Sequence, residues 1–266
     1  MSKDDKIVEQ IRSEFREEAR DGFSTLQIDY SNLRSKDQIV KQDLRNVAQS
    51  AEKVMLCARS AEAMILYLTI KRMISFFEVD VDKVNRHYPD IDAIFDIVEQ
   101  IFDGEIDDST DEAEFLRSLP TPQPTDATGF APQDIEILLV DPQRTSTRLI
   151  AKQIQGLGYS VTSTQDVFEA LKLAVSTKPD VIVASVMQKE LSGVSLARAL
   201  RALPETEKIP VAVLTSFSRG NTALAGLPGD VALVDKGKNF QSGLIETMAA
   251  FNLAPATQSA TAIFSN

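Results

Sequence analysis

Apolar side chains in the first hundred residues recur every three or four positions. Ile7, Val8, Ile11, Phe15, Ala19, Phe23, Leu26 and Ile28 follow that rhythm over residues 6–33 and place one stripe along a helix. It predicts a long first helix, with a break expected near Asp21-Gly22. The same period runs from 37 to 78 through Ile39, Leu44, Val47, Val54, Leu66, Ile70, Met73 and Phe77. That length predicts two helices meeting near residues 58–62. Pro89 closes whatever precedes it, and 90–102 reads as a further helix opened by an acidic cap. With no strand pattern among them, residues 1–102 are expected to form an antiparallel helical bundle.

Residues 103–134 lose the rhythm. A dense acidic run is followed by four prolines set among Thr, Gly and Ala, a composition with too little apolar area to offset the entropy of ordering. An extended linker is expected, with a docking peptide around Phe115 and Leu116 as the alternative. From 135 the pattern alternates. Short apolar runs at 135–140, 160–164, 181–184, 211–214 and 231–234 are separated by helical stretches at 145–157, 166–176, 193–203 and 240–251. That is the sequence form of right-handed βαβ units around a parallel sheet, and it predicts an α/β unit over 135–252. The stretch 216–231 is rich in glycine and reads as a poor helix. The last residues, 253–266, carry no period and are expected to be a flexible tail.

Charge and cysteine content narrow the functional classes. Of the net charge of −11, residues 1–118 hold −10, from 16 basic and 26 acidic side chains. Neither half has the basic stripe that a nucleic-acid binder needs, so no nucleic-acid partner is expected. No apolar run approaches a membrane span and the first residues do not read as an export signal. The single Cys57 has no second thiol and sits on the apolar period of its helix, where core packing is its expected role. A cytoplasmic protein is expected.

In a parallel doubly wound sheet, chemistry gathers at the carboxyl ends of the strands. Those ends carry Asp141, Ser185, Thr215 and Lys236. The set resembles the response-regulator receiver family, which places an acidic pair, a phosphoacceptor aspartate, a Thr or Ser and a Lys there. The resemblance implies the flavodoxin-like strand order 2-1-3-4-5. It also implies what this chain has lost, for Ser185 stands at the acceptor position and the acidic pair survives only as Asp141-Pro142. Mg²⁺ favours an octahedron of oxygens that includes carboxylates, and a serine hydroxyl is a poor nucleophile without a base. A pseudo-receiver with no catalytic residue, metal or cofactor is therefore expected, in which Lys236 neutralises Asp141.

The bundle resembles a degenerate histidine phosphotransfer (HPt) domain, with Gln49 at the histidine position followed by Ser50 and Lys53. The only histidine, His87, is expected at the surface near a helix end. These features lead to a phosphorylation-independent signalling adaptor that is not an enzyme and binds an unidentified signalling protein. The residues do not fix whether it forms a homodimer, as receiver-like domains and helical bundles commonly do. The alternatives are a phosphorelay component using Ser185, Thr215 or His87, and a small-molecule sensor at the vestigial site.

Overall fold

The structure, a computed structural model, describes residues 3–122, 129–187, 190–237 and 239–256. The chain divides into two compact units at Pro122.

The first unit is helical. Helix α1 (Lys3–Arg34) runs unbroken through Gly22, so the expected break is absent. The glycine serves packing instead, since a Cβ there would lie 3.2 Å from Val54 Cγ2. Helices α2 (Lys41–Ser60) and α3 (Met64–Phe76) meet where expected, at a corner that Glu62 turns with φ +56°. A 3₁₀ segment (Val81–His87) leads into α4 (Tyr88–Phe102). Pro89 lies in the first turn of α4, where its missing N–H costs nothing, so the helix opens earlier than the acidic cap suggested. The pairing of α1 with α2 is antiparallel, as Asp29 meets Ser50, Glu18 meets Cys57 and Arg12 meets Glu62. Against α4 the sense is again opposite, with Tyr30 on Asp92 and Phe23 on Phe102.

The expected linker is shorter than 103–134. Asp111 caps a further helix, α5 (Glu112–Ser118), by accepting from Glu114 N at 2.9 Å. This helix packs on α3 and buries Ala113, Phe115, Leu116 and Leu119. These four apolar side chains on a short helix and its C-cap are enough to dock it despite the acidic surroundings.

The second unit is a five-stranded parallel sheet. Its strands are β1 (Glu136–Val140), β2 (Ser160–Thr164), β3 (Val181–Ser185), β4 (Val211–Thr215) and β5 (Ala232–Asp235), in the order β2-β1-β3-β4-β5. Helices α6 (Arg144–Gln155) and α9 (Phe240–Ala250) cover one face. There Ile150, Ile154, Phe240, Leu244 and Met248 pack on Ile137, Leu139, Val183, Leu214 and Val234. Helices α7 (Val167–Thr177) and α8 (Gly193–Ala202) pack against β1, β2 and β4. Between β4 and β5 there is only a 3₁₀ turn at Thr222–Leu224, in keeping with the glycine content. Buried Leu224 and the Arg201–Asp230 ion pair at 2.7 Å hold this connection.

The tail also differs from expectation. Tyr159 Oη donates to Leu253 O at 2.6 Å, and Ala131 N donates to Ala256 O at 2.8 Å. Gly158, at φ +90°, lies so close to Ala131 that a side chain there would collide with its carbonyl. Residues 253–256 are thus docked, and the remainder of the expected tail, 257–266, lies outside the described residues.

Candidate functional site

The register of the sheet brings the four sequence-predicted residues to one end. Val140 pairs with Ala184, Ser185 with Leu214, and Thr215 with Asp235. Asp141, Ser185, Thr215 and Lys236 therefore follow one another across the carboxyl edge of β1, β3, β4 and β5.

The Asp141 side chain is fully buried and heavily engaged. Its Oδ1 accepts from Gln143 N at 3.0 Å. Its Oδ2 accepts from Ser146 Oγ at 3.2 Å and from Lys236 Nζ at 2.5 Å. Lys236 keeps 26% of its side chain exposed against 0% for Asp141, so its stem reaches inward while part of it stays in water. The carboxylate is neutralised by one cation and two neutral donors, the arrangement a buried charge requires. The expected Lys236–Asp141 pairing is present. Sequence reasoning missed Ser146, for which the available signal was a hydroxyl one helical turn into α6. The neighbouring Thr147 locks the same turn, donating to the Asp141 carbonyl at 3.1 Å.

Thr215 is buried, and its Oγ1 accepts from Phe217 N at 2.9 Å, a local turn of the kind Ser and Thr often make. The backbone of Lys236 donates to Thr215 O at 3.1 Å, so β4 and the lysine are held in step. Ser185 is also buried. Gly193 presses against it, since a Cβ there would stand 2.4 Å from Ser185 O. The Gly193 amide closes the intervening loop by donating to Val186 O at 2.9 Å. Only glycine permits α8 to begin so near the end of β3.

The family model for the response regulator receiver domain matches residues 137–235. That segment is a receiver domain. Response regulator MprA of Mycolicibacterium vanbaalenii is 36% identical over 93 residues, covering 35% of this chain and 39% of that protein. MprA of Mycobacterium sp. (strain KMS) is 34% identical over 93 residues, covering 35% and 40%. The chain therefore spans about 40% of the length of these curated relatives. Among solved structures, chemotaxis response regulator CheY4 of Vibrio cholerae is 24% identical, covering 44% of this chain and 98% of that one, with a TM-score of 0.40. The receiver domain of sensor histidine kinase PA1611 from Pseudomonas aeruginosa, solved with a magnesium ion in its active site cleft, is 22% identical, covering 44% and 98%, with a TM-score of 0.41.

A magnesium ion does not fit the residues that this receiver domain presents. Of Asp141, Pro142 and Ser185, only Asp141 carries a carboxylate, and Lys236, Ser146 and a backbone amide already occupy its oxygens. Pro142 has no side-chain oxygen, and Ser185 offers a neutral hydroxyl. Among the described residues, no three His, Cys, Asp or Glu side chains group as metal ligands.

In the helical unit, Gln49 is exposed on α2 with Lys53 one turn further on. Ser50 points inward, donating to Asp29 Oδ2 at 2.6 Å. Cys57 is half-buried rather than part of the core, 3.8 Å from Glu18 Oε2, and burial first and that carboxylate second raise its thiol pKa. His87 is a correction to the surface position expected of it. Its side chain is only 6% exposed, packed edge-on against Phe76 with ring centroids 5.5 Å apart. Burial lowers its pKa against the opposing pull of Asp90, whose Oδ2 lies 3.8 Å from Nδ1. A ring so enclosed is poorly placed to take a phosphoryl group from another protein.

Proposed function

We propose that this chain is a two-component signalling protein whose receiver domain works without phosphorylation, as an adaptor that binds other signalling proteins. The observation carrying the proposal is the pairing of a buried Asp141 with Lys236 beside Ser185. In this reading the cation that a phosphoryl group would otherwise engage is committed to a carboxylate. The chemistry needed for an acyl phosphate, an acceptor carboxylate and a metal held by carboxylates, is missing together.

Absence of catalysis, an unidentified protein partner and a cytoplasmic location belong to the same proposal. Among the described residues no helix is long and apolar enough to cross a membrane. A degenerate HPt origin for the bundle fits Gln49 at an exposed position. The test is ligand-induced stabilisation, since a ligand that binds only the folded state raises the melting temperature by mass action. Magnesium with beryllofluoride, a phosphoryl mimic, should leave the receiver-domain transition unmoved. A concentration-dependent rise would overturn the proposal.

A further inference from the structure

The helical unit is acidic as a whole, yet α2 has the opposite balance on an exposed face. Helix α2 carries Lys41, Arg45, Lys53 and Arg59 against Asp43 and Glu52. Asp43 is turned inward, held by Lys36 at 2.5 Å and by the Val40 amide at 2.9 Å. Lys41, Arg45, Gln49 and Lys53 follow one another at four-residue intervals and all are exposed. That spacing stacks them turn above turn on the outer face of the helix. Leu56 continues the ladder at one end and Val40 precedes it at the other, each 56% exposed.

Several other cations of the unit are used internally. Arg12 pairs with Glu62, Arg16 with Asp108 and Arg34 with Asp92. Lys41, Arg45 and Lys53 form no ion pair among the described residues. Three uncommitted cations on one face, within a unit that holds a surplus of carboxylates, mark a surface left open to an outside anion.

We propose that the outer face of α2 is a docking surface for a protein partner that presents a compact acidic patch edged by apolar side chains. Charge complementarity sets the sign, and exposed Val40 and Leu56 supply apolar contacts at the two ends. The size follows from the ladder, since the helix rises about 18 Å from Lys41 to Lys53. A patch of that extent matches the length of the ladder, which Glu18 borders beside Cys57 at its far end. A nucleic acid strand or an anionic bilayer extends further, bringing its charges within the screening distance of about 8–10 Å of the carboxylates of neighbouring α1, such as Glu17 and Glu18. The net charge of −10 over residues 1–118 then opposes it. This inference is independent of the phosphorylation state of the receiver domain.

The test is a backbone-amide NMR titration of the isotope-labelled full chain with a synthetic peptide of glutamates interspersed with leucines. Parallel titrations use phosphatidylserine vesicles and single-stranded DNA. Shifts should be confined to α2 around Arg45, Gln49, Lys53 and Leu56. Binding should weaken about tenfold or more in an Arg45→Glu, Lys53→Glu variant, and should weaken again as salt is raised. Both positions are exposed, so the variant should melt as the wild type does; if it does not, Arg45→Gln with Lys53→Gln replaces it. No shift in α2 at millimolar peptide, binding indifferent to these substitutions, or tighter binding of the vesicles or the DNA would each overturn the proposal.

Discussion

At the scale of single residues, the account turns on a carboxylate and its cation. Removing Lys236 leaves Asp141 charged, buried and short of its main partner. Breaking a fully buried pair costs about 3–5 kcal/mol. Because Lys236 is a quarter exposed and Ser146 and the Gln143 amide remain, Lys236→Met should cost about 2–3 kcal/mol in chemical denaturation. Asp141→Asn combined with Lys236→Met should recover most of that loss, because nothing charged is then left unpaired. Additive losses would mean that the pair is not coupled. His87 gives a second residue-level expectation. Burial puts its folded pKa below the unfolded value of 6.5, so in the window below 6.5 the unfolded chain takes up the proton first and folding stability falls with falling pH. His87→Gln should flatten that slope for the helical unit. The acids with lowered pKa, Asp43 and Asp107, act only below their ordinary value of 3.8 and do not confuse the reading. The charged end of the sheet was legible because strand ends and residue types coincide there. The burial of His87 was not, since it depends on Phe76 from another helix.

At the scale of elements, periodicity served where an element has several turns or a full apolar run. All five strands and four of the helices around them stand within a few residues of expectation. It failed where a short element borrows its stability from elsewhere. Helix α5 spans only Glu112–Ser118, too little for its own period to stand out from an acidic run, and it exists because Phe115 and Leu116 find a pocket on the bundle. Leu116 is 2% exposed, so Leu116→Ala should destabilise the helical unit by about 2–4 kcal/mol, read as a lowered denaturation midpoint. A value near zero would restore the linker reading. Gly22 misled in the opposite direction, for a residue that weakens a helix in isolation here admits Val54 against α1. The docked residues 253–256 were hidden for a further reason: beyond the packing of Leu253 on the core, their backbone carbonyls accept from Tyr159 Oη and Ala131 N, and backbone groups leave no mark on composition.

At the scale of the whole molecule, two units are joined by a segment far shorter than composition implied, as the helical unit extends to Pro122 and the Phe130 side chain packs on the core of the receiver domain. The receiver domain has the five-stranded parallel sheet in the order β2-β1-β3-β4-β5, and in the proposed reading its acceptor and metal ligands have changed. The helical unit offers α2 as a surface of its own. The central claim is that the architecture persists without phosphoryl chemistry. Intact mass after incubation with acetyl phosphate and magnesium, for the wild type beside a Ser185→Asp variant, tests it most directly. The account predicts an unmodified wild type, and a Ser185→Asp variant that gains one phosphoryl group only when Pro142→Asp is added, because the acceptor carboxylate at the end of β3 needs a second carboxylate beside Asp141 to hold the metal. Phosphorylation of the wild type, mapped to any residue of the receiver domain, would contradict it.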